Sequence, residues 1–134
     1  MAISNAKTVR TAYEALNAGD VDAALAALDE QAEWHEHSEL PEAGGYTGRA
    51  SINRFLCNFL ESWDEFHQEV EDTREAEGKV LVMLRMRGRG KGSGIDVESR
   101  YAHVWSMRAG SATRVDAYYD IAEALAALEA ARAQ

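Results

Sequence analysis

The chain has 134 residues, 46% of them apolar and 28% charged, with a formal net charge of −9 at neutral pH. That size and balance fit one ordinary packed domain over residues 1–134 and exclude disordered and fibrous classes. The acidic surplus also argues against nucleic acid and anionic membranes as partners, because such binding depends on Lys and Arg neutralising phosphates.

The opening MAISNAKTVR lacks the basic start and apolar stretch of a secretory signal. No run approaches the ~18 apolar residues of a membrane span, so a cytoplasmic location is expected. Ser4 is placed to cap a helix whose apolar face is Ala6, Val9, Ala12, Tyr13 and Leu16, with Gly19 as its stop. Asp20 then begins a short second helix carrying Val21, Ala24, Leu25 and Leu28. From Ala32 to His37 the pattern changes to a strand, and residues 38–48, with Pro41, Gly44, Gly45 and Gly48, read as a loop.

Ile52, Phe55, Leu56, Phe59, Leu60 and Trp63 recur at helical spacing and predict an amphipathic helix. It contains Cys57, the only cysteine, so no internal disulfide or multi-cysteine zinc site can form. Four strands are expected next, in EFHQEVEDTRE, KVLVMLRMR, GIDVESRYAHVWSM and SATRVDAYY. GRGKGSG, residues 88–94, has no helix after it and reads as a glycine-rich hairpin rather than a phosphate loop. Asp120 with Glu123 forms a capping box ahead of a last helix bearing Ile121, Leu125 and Leu128. Helices followed by a run of antiparallel strands make an α+β protein.

The segments YEALNAGDVDAALAALDEQAEWHEH, GYTGRASINRFL, GRGKGSGIDVESRYAHVW and VDAYYDIAEALAALE together resemble the SnoaL-like branch of the nuclear-transport-factor-two and ketosteroid-isomerase superfamily. The likeness spans nearly the whole chain. It implies a cystatin-like, cone-shaped α+β fold, in which a strongly bent, mainly antiparallel sheet wraps around helices and leaves an internal cavity. It also implies a homodimer paired through the sheet's outer face. The superfamily holds isomerases, cyclases, epoxide hydrolases and dehydratases beside non-catalytic members, so residues must decide function.

In WHEH, strand alternation sets Trp34 and Glu36 on one face and His35 and His37 on the other. Paired imidazoles can bind a transition metal, with Glu39, His67 or His103 as a third ligand, or can be plain surface or interface histidines. With no third ligand close by, no metal site is assigned. Aligned through LNAGD, Glu36 falls where the resemblance implies a general base. Desolvation beside Trp34 would raise its pKa and suit it to taking a proton next to a carbonyl. The same alignment maps the family's two oxyanion donors to Ala12 and Ala102, with Tyr13 rotated about 100° away and expected to pack elsewhere.

Trp34, Tyr46, Phe55, Phe59 and Tyr119 are the expected substrate-binding residues, and Tyr46 is either a lid over the pocket or a loop anchor. On the next strands, Val80, Val82, Leu84 and Met86 should face the core, and Arg85 a salt bridge at the outer face or rim. Tyr101, His103 and Trp105 form an aromatic strand face that a dimer interface would bury. If a bulge reverses the parity, His103 instead enters the cavity as an acid or base. Two functions follow. One is cofactor-free isomerisation, cyclisation or dehydration of a small apolar carbonyl compound through Glu36. The other is a non-catalytic ligand-binding or dimerisation module.

Overall fold

The computed structural model describes residues 4–37 and 44–132. Helix α1, Asn5–Asn17, begins where Ser4 Oγ accepts the Lys7 amide at 3.2 Å, and it buries Val9, Ala12 and Tyr13. The chain leaves it through Gly19 at φ +79°, a left-handed conformation that favours glycine. Asp20 caps the short α2, Val21–Leu25, by accepting the Ala23 amide.

Leu28 belongs not to this helix but to β1, Leu28–His37, where it is buried and pairs with Ala112. The strand therefore starts four residues before Ala32. An irregularity between Leu28 and Glu33 absorbs the change of register, which hides the strand's first half from a period-two reading. Residues 38–43 of the expected loop lie outside the described residues, while Gly45–Thr47 form a short strand, β2, along β1.

Helix α3, Arg49–Glu61, buries Ile52 and Leu56. It ends two residues before Trp63, which opens β3, Trp63–Ala76, although its ring still meets that of Phe59 at 6.0 Å. Strands β4, Lys79–Gly90, β5, Asp96–Arg108, and β6, Ser111–Tyr118, follow, and α4, Ile121–Arg132, begins where Asp120 accepts the Ala122 amide. The glycine-rich segment is a hairpin, closed by a bond from the Gly90 amide to the Ile95 carbonyl.

The six strands form one curved, unclosed sheet in the order β2-β1-β6-β5-β4-β3. All neighbours are antiparallel except β1 and β6. The concave face carries Trp34, Val80, Val82, Leu84, Tyr101, Trp105 and Val115, packed against α1 and α3. The opposite face carries Leu81, Ala102 and Val104, covered by Ala124 and Leu128 of α4. Among the described residues no helix is long and apolar enough to cross a membrane.

Tyr101, His103 and Trp105 do not form an outer-face interface. Each is at most 6% exposed. They pair with Leu84, Val82 and Val80, so they share those residues' concave face. No bulge is needed, since the β4–β5 register runs without a shift from Lys79 to Arg89. Arg85, on the other parity, pairs with Glu98.

Gly88 is required by close approach. A Cβ there would lie 2.7 Å from Trp63 Cε3 and 3.2 Å from the Glu65 carbonyl. Gly88→Ala should therefore destabilise the fold by about 1–3 kcal/mol through overpacking. A lowered urea midpoint with an unchanged slope is the expected result, and an unchanged midpoint would show that the indole moves aside freely.

Candidate functional site: an aromatic cavity with one carboxylate

A cavity of about 220 Å³ lies between the concave face of the sheet and helices α1 and α3. Helical spacing brings Phe55, Leu56, Phe59 and Leu60 of α3 onto one wall. Strand alternation brings Trp34 and Glu36 of β1 onto the other. Of the residues expected to bind substrate, Trp34, Phe55, Phe59 and Tyr119 line this cavity. Tyr46 does not. It stacks on Phe55 from behind at 4.4 Å between ring centroids and faces a separate outer groove.

Glu36 is held by two donors. Trp34 Nε1 donates to Oε1 at 2.8 Å, a bond made possible because residues two apart on a strand share a face. The Tyr119 hydroxyl donates to Oε2 at 2.5 Å. Tyr119 is 52% exposed, but its hydroxyl is spent on the carboxylate. Desolvation first, then the bond to Glu36 and its charge, push the phenol's ionisation up. No arginine among the described residues bonds to Glu36.

A second polar group lies deeper. Trp105 Nε1 and Tyr13 Oη are 2.9 Å apart, and Tyr13 Oη and His103 Nδ1 are 2.6 Å apart. Tyr13 is 1% exposed, and burial holds its ionisation well above the ordinary range. Gln68 donates to the Tyr101 hydroxyl, and the Asn17 side chain clamps the Gln68 backbone with bonds of 2.8 and 2.9 Å. Burial, partly offset by the Gln68 bond, pushes Tyr101 up to about 12. Trp63 Nε1 is buried on the cavity wall with no acceptor among the described residues.

Tyr13 therefore does not pack elsewhere, and Ala102 does not face the cavity. Both expectations fail by one residue, with Tyr13, Tyr101 and His103 on the cavity wall and Ala102 under α4. Tyr13 and His103 were the groups the sequence reading missed as a pair. The alternation of Tyr101, His103 and Trp105 was their signal. Tyr13→Phe leaves the buried Trp105 N–H without its acceptor, an expected loss of about 1–3 kcal/mol in unfolding free energy. Full stability in this variant would show that the indole finds another partner.

His35 and His37 face away from the cavity. His35 Nε2 lies 3.1 Å from Glu33, and its ring covers the position a Gly45 side chain would fill. His37 bonds Asp116 at 2.8 Å and stacks on Tyr118. Burial alone would raise the Asp116 carboxyl, but Arg114 and His37 outweigh it and hold it below its ordinary value. No group of three metal-ligating side chains occurs among the described residues.

The sequence pattern of the SnoaL-like domain family matches residues 9–115. The chain belongs to the SnoaL-like domain family. Solved structures similar to this SnoaL-like chain include a nuclear-transport-factor-two-like protein from Burkholderia thailandensis, 27% identical with a TM-score of 0.78, covering 99% of each chain. A Catenulispora acidiphila protein with a ketosteroid isomerase-like fold, in complex with trimethylamine, is 17% identical, TM-score 0.76, over 92% of each chain. TerC, co-crystallised with polyporic acid, is 20% identical, TM-score 0.77, over 93% of this chain and 98% of its own. At identities this low, the last two likenesses show the fold alone. No curated protein matches the sequence significantly.

Proposed function

We propose that this SnoaL-like protein binds a small, largely apolar carbonyl compound and that Glu36 removes a proton from the carbon next to the carbonyl. The observation that carries this is the carboxylate itself, the one carboxylate on a cavity wall that is otherwise mostly aromatic and aliphatic, set there by Trp34 and Tyr119. A reaction of this kind is a cofactor-free isomerisation, cyclisation or dehydration through an enolate. General-base transfer by a positioned side chain contributes ~10²–10⁴-fold. Small ligands in two proteins of the same fold support a small-molecule role.

The test uses acetylnaphthalene, a planar aryl ketone, in heavy water. Binding followed by exchange of its methyl hydrogens for deuterium, faster with wild type than with Glu36→Gln, supports the proposal. Binding with no enzyme-dependent exchange would leave a ligand-binding module without catalysis.

A further inference from the structure

The cavity wall carries a negative charge that its other residues do not balance. Glu36 is half-buried, and the Trp34 indole and Tyr119 phenol that hold it are neutral donors. No Lys or Arg side chain lines the cavity among the described residues. Burial holds the His103 imidazole down to about 3, so at neutral pH it adds no charge to the wall. Residues 38–43, SELPEA, which follow β1 in sequence, add two more glutamates and no basic residue. The neighbouring phenols feel the charge. Burial comes first in pushing up both Tyr119 and Tyr101, and Glu36 adds to it at each.

Asp116, on the side of the sheet that α4 covers, is held differently. It pairs with Val104 there, and it accepts three hydrogen bonds from Arg114, between 2.9 and 3.1 Å, and one from His37 at 2.8 Å. A carboxylate drawn out of water is normally paired with a cation in this way. At Glu36 no described residue supplies one. Each carboxylate oxygen can accept about two hydrogen bonds and here takes one, so each keeps a lone pair unused.

Aromatic rings stand around this carboxylate. Trp34 and Tyr119 reach Glu36 through their polar tips, Tyr101 lies 5.7 Å from Tyr119 between ring centroids, and Phe55 lies 5.9 Å from Trp34. All four line the cavity. The face of an aromatic ring is electron-rich and attracts a cation, most strongly where water is excluded. Alkyl groups on a nitrogen cation are apolar and suit the rings, while the charge suits the carboxylate. A bare primary ammonium, being strongly hydrated, gives up more water to enter.

We propose that this cavity binds a small tertiary or quaternary ammonium ion, with Glu36 as its counter-ion and the rings of Trp34, Tyr101 and Tyr119 against its alkyl groups. A tertiary ammonium also donates its single N–H to Glu36. Binding of the cation does not depend on Glu36 acting as a base. One consequence does rest on the proton-abstraction function proposed above. A cation held at the carboxylate blocks the base, so the amine is a competitive inhibitor of the ketone reaction.

Phenyltrimethylammonium and tert-butylbenzene share a shape and differ in charge, which isolates the effect. Titration of each, followed by tryptophan fluorescence, should show wild type binding the cation roughly tenfold more tightly. In Glu36→Gln the two should bind alike, and an unchanged affinity for tert-butylbenzene shows that the cavity is still formed. Tyr119→Phe, which keeps the ring, should retain most of the preference, and Tyr119→Leu should lose part of it. Equal affinities in wild type, a preference that survives Glu36→Gln, or failure of the cation to bind overturns the ammonium site and leaves the ketone reaction untouched. A preference for the cation without enzyme-dependent deuterium exchange into acetylnaphthalene supports the ammonium site and removes the catalytic function instead.

Discussion

Glu36→Gln should slow deuterium exchange into a bound aryl ketone by ~10²–10⁴-fold, the usual contribution of a general base, while affinity changes only a few-fold. Gln has the same shape, and its amide oxygen can still accept from Trp34 Nε1, now at 2.8 Å from the carboxylate. An amide cannot take the proton, however, and its NH2 group would face the Tyr119 hydroxyl, which must turn to accept instead of donate. The split between lost exchange and retained binding separates a catalytic from a structural role. Methyl-proton NMR in heavy water reads the exchange, and a thermal melt shows whether the variant is folded. Equal exchange by wild type and variant would remove Glu36 from the chemistry.

Acid should destabilise the fold through His103, over a window set by its burial. The free imidazole titrates near 6.5 and the buried one at about 3. Between those values the unfolded chain binds a proton that the native state refuses, so stability rises with pH across the window. The contribution is fully present above 6.5 and is lost as pH falls toward 3. Each unit costs about 1.4 kcal/mol, or roughly 4 kcal/mol by pH 3.5. Asp116 acts in a lower window, since its loss begins only as pH falls below the ordinary carboxyl value. Urea denaturation at a series of pH values should give wild type a steep slope between pH 6 and 4, and His103→Gln a shallower one. Parallel slopes for the two proteins would mean that the ring takes up its proton in the folded state.

Local patterns carried much of the fold. Ser4, Asp20 and Asp120 sit where their capping bonds require, and the four late strands fall where alternation put them. What alternation could not choose was a face. On β5 both sets of side chains are buried, Tyr101, His103 and Trp105 on one side and Ala102 and Val104 on the other, because helices cover the sheet on both sides. Hydrophobicity then gives a period without a direction. The same ambiguity affects Ala12 and Tyr13, both buried, where a one-residue offset amounts to about 100° of helix rotation. Trp63 fell on the helical repeat of α3 only because its ring returns to Phe59 from a strand. Glu36 and Trp34 were legible as partners because residues two apart on a strand must share a face, whereas Tyr119 on Glu36 needed the parallel pairing of β1 with β6.

That parallel pairing and the chain that links Tyr13 to β5 also order events in time. Tyr13 meets His103 across 90 residues of sequence, and Tyr119 meets Glu36 across 83. At a synthesis rate of ~5–20 residues per second, the first helix and strand wait on the order of 5–20 s for the partners that complete the cavity. Until then Tyr13 and Trp34 present an aromatic surface with no sheet behind it. The pocket is thus among the last features the growing chain can build, and the nascent N-terminal third must stay unaggregated until β5 and β6 have left the ribosome.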